Sequence, residues 1–293
     1  MRTRRVIAVA SLLVASVAAV GLLGPWSPIW APRTLIVGST TTTLDTGFLD
    51  VLQEAYRSQV GVPLRIVVAG TGAILQEGHN GDLDVLLTHD RTRELAFVQA
   101  GDGLWRRPVM WNWFVLVGPP LPKWQSPWTA DQLATNATAF LTLLYQHRAE
   151  ITFVSRADGS GTNAREMALW DAAGISTANR TGSWYKETGT GQADTLRVAV
   201  QLGAYELCDE ATWNRFVSQG LTGNLQVVNR DPTRMKNQYG VIPINGTVHP
   251  QASQTEGLAF ALWLTSPAGQ ALIRNYLVGG LAAFYPDADN STA

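Results

Sequence analysis

Three times along this chain a short apolar run breaks off into a cluster of Ser, Thr and Gly, and each time a helix-patterned segment follows. Thr34 to Ser39 (TLIVGS) leads into Ser39-Thr40-Thr41-Thr42-Thr43. Leu64 to Val68 leads into Ala69-Gly70-Thr71-Gly72. Thr152 to Val154 leads into Ser155-Arg156-Ala157-Asp158-Gly159-Ser160-Gly161-Thr162. Short continuous apolar runs bounded by turn residues read as strands buried on both faces. Strands that alternate with helices need crossover connections, so the pattern demands an α/β chain with parallel sheet.

The remaining segments extend the same layout. Apolar spacing predicts helices over residues 47–56, 73–79, 92–99, 130–147, 163–173, 193–201, 212–219, 256–264 and 268–277, and strands over 84–88, 225–228 and 239–244. A long apolar and aromatic segment, Pro108 to Gly118, ends at Pro119-Pro120. Extended crossings near Phe114–Gly118 and Tyr239–Ile242 suit two α/β lobes, each a mostly parallel sheet flanked by helices. The first lobe is then discontinuous, residues 33–117 with 239–293, and the second is 118–238.

The 293 residues suffice for two cores. A net charge of −1, with no Lys/Arg cluster beyond the first five residues, argues against nucleic acid as a partner. Cys208 is the only cysteine, which excludes an intrachain disulfide and a cysteine metal site. Arg2, Arg4 and Arg5 precede an uncharged apolar run, residues 6–23, in the manner of an export signal, either cleaved or kept as a membrane anchor. Residues 24–32 (GPWSPIWAP) read as a Pro-rich spacer, so residues 1–32 stand outside the fold.

The three small-residue loops share a chemistry. A helix N-terminus presents unpaired backbone N–H groups and a partial positive charge. Small residues let an anion approach, and hydroxyls add donors. Arg156 adds a charged, bidentate donor. Taken singly, each loop has a plainer explanation: Ser and Thr cap helices, Gly70-Thr71-Gly72 makes a tight turn, and Arg156 pairs with Asp158. Three such loops at strand C-termini, where open α/β sheets bind ligands, favour anion capture. Neither Gly70-Thr71-Gly72 nor Gly189-Thr190-Gly191 carries a P-loop Lys. No nucleophile and base pair stands out among His79, His89, His147 and His249, so no catalytic residue is assigned, and no cofactor or bare metal cation is expected. Trp111 and Trp113 alternate along a strand-like segment, which turns one of them toward the cleft.

Five segments resemble one family. They are STTTTLDTG (Ser39–Gly47), AGTGAILQEGHNGDLDVLLTHD (Ala69–Asp90), PVMWNWFVLVGP (Pro108–Pro119), FVSRADGSGTNAREMALW (Phe153–Trp170) and WYKETGTG (Trp184–Gly191). The chain resembles the tungstate-binding, TupA-like proteins of ABC importers, from about Leu35 to Tyr276. The resemblance implies a type II periplasmic-binding-protein fold, with tungstate between the lobes and an ABC permease as partner. It carries the ligand role onto Ser39, Thr40, Thr41, Thr42, Thr71, Arg156, Ser160, Gly161 and Thr162. Two departures stand out. Ser39-Thr40-Thr41-Thr42 replaces the family's Thr-Thr-Thr-Ser, and Ala157 takes the place of a Gly in the Ser-Arg-Gly-Asp stretch. The Arg156–Thr162 loop is also similar to that of phosphate-binding proteins, so phosphate, molybdate and sulfate stay open, as does a membrane-anchored anion sensor.

Overall fold

A computed structural model describes residues 33–288. The expected export segment and spacer lie outside the described residues. The chain opens with β1 (Leu35–Thr40), α1 (Thr41–Asp45), α2 (Phe48–Val60), β2 (Leu64–Ala69), α3 (Thr71–Asn80), β3 (Val85–Thr88) and α4 (Arg91–Gln99), then the long β4 (Arg107–Gly118). There follow α5 (Ala130–Thr135), α6 (Ala137–Gln146), β5 (Phe153–Ser155), α7 (Gly161–Ala172), β6 (Tyr185–Glu187), α8 (Gln192–Leu202), β7 (Tyr205–Asp209), α9 (Glu210–Ser218) and β8 (Gln226–Asn229). The chain then returns through β9 (Lys236–Pro243) to α10 (Gln254–Leu264), α11 (Pro267–Asn275) and the short β10 (Leu277–Val278), β11 (Leu281–Ala282) and β12 (Tyr285–Pro286).

The strand order is β2-β1-β3-β9-β4-β7-β5-β6, with β8 and β12 also pairing with β4. Strands β1, β2 and β3 are parallel, and so are β5, β6 and β7. Strand β9 joins the first set antiparallel on β3, and β4 joins the second antiparallel on β7. Twelve residues of β4 carry the chain from one set to the other: Arg107–Trp113 pair with β9, and Phe114–Val117 pair with β7.

Each set has its own core. Leu35, Val37, Phe48, Leu52 and Tyr56 pack against Phe260, Leu264 and Phe284, so both ends of the described chain build one lobe. Phe140, Phe153, Trp170, Tyr185, Tyr205 and Leu207 pack in the other. Burying a large apolar side chain contributes about 1.5–3 kcal/mol, so these side chains stabilise each lobe. Among the described residues, no helix is long and apolar enough to cross a membrane.

One expected helix is two. The stretch 130–147 breaks at Asn136, whose backbone is extended (φ −127°, ψ 102°). Its Oδ1 accepts from Ala139 N–H at 3.0 Å, so this Asn ends α5 and caps α6.

The second lobe also buries a carboxyl. Glu166, on α7, accepts from Tyr185 Oη at 2.6 Å, Ser155 Oγ at 2.7 Å and Trp170 Nε1 at 3.2 Å. Burial pushes its pKa up to about 7 despite these donors. A carboxyl raised in the folded state holds a proton that the unfolded chain releases. Its contribution is therefore present at low pH and lost as pH rises from about 4.5 through 7. Glu166→Gln should gain about 3 kcal/mol on the wild type between pH 4.5 and 8, read from urea unfolding at each pH. Parallel profiles would contradict the assignment.

Candidate anion-binding site

Arg156 sits just past the end of β5 and is 1% exposed. Its Nη1 donates to Thr42 Oγ1 at 2.8 Å, Gln192 Oε1 at 3.3 Å and Thr162 Oγ1 at 3.4 Å. Its Nη2 donates to Asp158 Oδ2 at 2.6 Å and Thr41 Oγ1 at 3.1 Å. One side chain thus gathers the first residues of α1, α7 and α8. Helix α3 joins through Thr71, whose hydroxyl accepts from Gly161 N–H at 3.0 Å. Four helix N-termini therefore converge, each with backbone donors that its own helix leaves unpaired.

Local sequence explains the convergence. Ala157 adopts φ 46°, a left-handed conformation that costs a non-glycine residue about 1–2 kcal/mol. This turn brings Asp158 back onto Arg156 and lets Asp158 Oδ1 accept from Ser160 N–H at 3.1 Å. A Cβ at Gly161 would lie 3.0 Å from the His89 ring, so a side chain there would press the imidazole to shift.

The expected residues are not equivalent. Thr41, Thr42 and Thr162 touch the guanidinium, and Thr71 and Gly161 touch each other across the cleft. Ser39 and Thr40 do not reach Arg156. The Ser39 hydroxyl donates to Leu87 O at 2.9 Å, tying β1 to β3, and Thr40 caps α1 through Thr43 N–H at 3.4 Å. Ser160 caps α7, accepting from Asn163 N–H at 3.2 Å. Trp111 stacks on Tyr285 of β12 at 4.5 Å and meets Trp113 edge-on at 5.1 Å, while Trp113 packs against the core of the second lobe.

Sequence reasoning passed over Gln192. It follows Gly189-Thr190-Gly191 and is fully buried. Its Nε2 donates to Glu206 Oε1 at 2.7 Å, which leaves Oε1 facing Arg156. The signal was present: a fourth small-residue loop opening a helix, judged only by its missing Lys. Asp45 was missed too. Its Oδ2 accepts from Ala193 N–H at 3.2 Å, capping α8 from the other lobe, while its carbonyl accepts from Arg215 at 2.8 Å. Arg93 adds another interlobe bond, to Gly159 O at 3.0 Å.

Burial sets the charge state of the surroundings. It raises Asp45, drives Glu206 well above the carboxylate range against the pull of Arg156, and lifts Asp209 to about 6. It also depresses His89 to about 4, so this imidazole is neutral at pH 7. The tautomer follows from an amide chain. Asn112 Nδ2 donates to Asp209 Oδ1 at 3.4 Å and Asn237 Nδ2 to Asn112 Oδ1 at 2.8 Å, so Asn237 Oδ1 accepts from His89 Nδ1–H at 2.9 Å. The chain crosses β4 and β9 where Asn112 and Asn237 are register partners.

Arg156 Nε is buried and has no partner among the described residues, as is also true of His89 Nε2 and Glu206 Oε2. An unpaired buried donor costs about 1–3 kcal/mol, more when charged, and points to a ligand that accepts from it.

The family model described as the PBP superfamily domain matches residues 28–268. A Haloferax volcanii protein, assigned as an ABC transporter anion-binding protein, is 40% identical over 257 residues, covering 87% of this chain and 72% of its own. The tungstate-binding protein TupA of Peptoclostridium acidaminophilum is 36% identical, covering 84% of this chain and 82% of its own. Among solved structures, the tungstate-binding protein TupA from Desulfovibrio alaskensis superposes with a TM-score of 0.73 at 33% identity, covering 88% of this chain and 99% of that one. With the two-lobed fold and the four converging helix ends already in view, these likenesses place the family: the chain belongs to the PBP superfamily and, within it, to the TupA-like solute-binding proteins.

Proposed function

We propose that this protein captures a tetrahedral oxyanion, tungstate first, between its two lobes outside the cytoplasm and delivers it to an ABC importer. The observation that carries the reading is Arg156: a buried cation with Nε unpaired, ringed by Thr41, Thr42 and Thr162 and by the N-termini of α1, α3, α7 and α8. A hydroxyl that accepts from the guanidinium keeps its own O–H to donate, so Thr41, Thr42 and Thr162 pass donors on to a ligand. Thr71 and Gly161 close the ring.

The carboxylates argue for a fully deprotonated anion. A protonated phosphate benefits from an acceptor, but Asp158 spends one oxygen on Arg156 and the other on Ser160 N–H. Asp45 turns its carboxylate to Ala193 N–H. Asp158 thus has no oxygen left to accept a ligand proton, which suits tungstate, molybdate or sulfate over a protonated phosphate, and the names of the relatives favour tungstate. The lobes, divided as residues 33–117 with 239–293 and 118–238, close by hinge motion at β4 and β9. The bonds Arg93–Gly159 and Asp45–Ala193 hold the closed form. The reading is binding without turnover, and residues 1–32 supply export or an anchor.

Calorimetric titration of residues 33–293 tests it with tungstate, molybdate, phosphate and sulfate. The expected result is tight one-to-one binding of tungstate with phosphate silent. Tight phosphate binding would move the assignment to phosphate, and silence with all four anions would end the transport reading.

A further inference from the structure

Beside Arg156 lie two adjoining cavities of about 170 and 370 Å³ that share His89, Arg91 and Arg165 as walls. Each exceeds by several times the ~30 Å³ that one water occupies in the liquid. Gly161 lines the smaller one, and its N–H is the group that meets Thr71 in the main site. The cavities therefore adjoin the cleft.

Their charge is unbalanced. Arg165 lies four residues after Gly161 on α7, on the same side of the helix. It is half-buried and makes no hydrogen bond or salt bridge among the described residues; its guanidinium lies 5.9 Å from the Phe114 ring. Burial lowers its pKa, the mark of a cation poorly served by water. Arg91 is exposed on the rim. Lys236 lies 4.9 Å over the Trp111 ring and 3.6 Å from Asp287. Asp90, also in the wall, is bound to Arg93 Nε at 2.6 Å. His89 is neutral and adds no charge. Two cations without a carboxylate partner, Arg91 and Arg165, thus face one space beside the paired Lys236, and the nearby carboxylates are already paired.

We propose that this space is a second, weaker oxyanion site: an antechamber that the solute occupies on its way to Arg156. The inference rests on the oxyanion-capture reading and deepens it. A polar recess lined by one sign of charge raises the local concentration of the opposite ion and speeds its capture. A hydrated tetrahedral dianion fits the volume, and Arg165 gives it a planar pair of donors.

The test is the association rate of tungstate, followed by rapid mixing on tryptophan fluorescence at low and at high salt. The variant Arg91→Gln with Arg165→Gln should associate at least about fivefold more slowly at low salt. The difference should vanish at high salt, and dissociation should change less than about twofold. Lys123→Gln with Arg148→Gln removes the same charge from a distant, exposed surface and should associate like the wild type. Arg165→Lys, which keeps the charge, should retain most of the rate, and matching melting temperatures show that each variant is folded. Equal rates in the cavity and control variants, or an effect confined to dissociation, would overturn the antechamber alone. A wild type that binds no tungstate by calorimetry would overturn capture and antechamber together.

Discussion

Replacing Arg156 by alanine is expected to weaken tungstate binding by about 3–5 kcal/mol, roughly a hundredfold to several thousandfold. The side chain reaches Thr41, Thr42, Thr162, Gln192 and Asp158 at once. Its loss removes the charged donor and also leaves Asp158 as an uncompensated carboxylate beside the anion. Arg156→Ala combined with Asp158→Asn should therefore recover part of the affinity that the single variant loses. Arg156→Lys should stay weak, because one ammonium cannot replace a planar guanidinium that serves several acceptors. Calorimetry gives the affinity, and the melting temperature separates a lost ligand from a lost fold. Binding at wild-type strength in Arg156→Ala would remove Arg156 from the site.

The second large effect concerns stability at the crossing strands. Asn237→Leu breaks the chain Asp209–Asn112–Asn237–His89 at its centre. Three buried groups, His89 Nδ1–H, Asn112 Oδ1 and Tyr239 Oη, lose their partner, at about 1–3 kcal/mol each. The expected cost is about 4 kcal/mol in urea unfolding. The His89 tautomer should also lose its bias, visible in the imidazole nitrogen shifts. A cost below about 1 kcal/mol, with the tautomer unchanged, would show that the chain does not bridge the lobes as described.

The fold was legible where local chemistry and burial agree. Strand β1 carries the buried apolar run of a parallel sheet, and Pro108–Gly118 was long enough to announce a crossing. Strand β7 was not legible. Its sequence YELCD places Glu206 and Asp209 where a core strand should be apolar, yet all five residues are buried. Burial raises the Glu206 pKa well above its ordinary value, Gln192 donates to its carboxyl, and Thr212 donates to Asp209 at 2.6 Å, so these acids enter the core at a cost that their hydrogen-bond partners offset. Strand β6 fared likewise: YKE exposes two charged residues and pairs on one side only, with β5.

The site was legible in its loops but not in its division of labour. Ser39 and Thr42 look interchangeable in sequence, and only the pairing of β1 with β3 turns the Ser39 hydroxyl toward Leu87 O. Gln192 carried the same loop-then-helix signal as Thr71, but its role depends on Glu206, a residue of the strand that sequence patterning passed over. Asp45 acts on a helix 148 residues away, a relation that only the closed lobes create.

The most direct test of the account is a crystal structure of residues 33–293 grown with tungstate and measured at the tungsten absorption edge. The account predicts one dominant anomalous peak between Arg156 Nε and the hydroxyls of Thr41, Thr71 and Thr162, with the anion oxygens within hydrogen-bond reach of each. A dominant peak elsewhere, or none in that position at saturating tungstate, would contradict it.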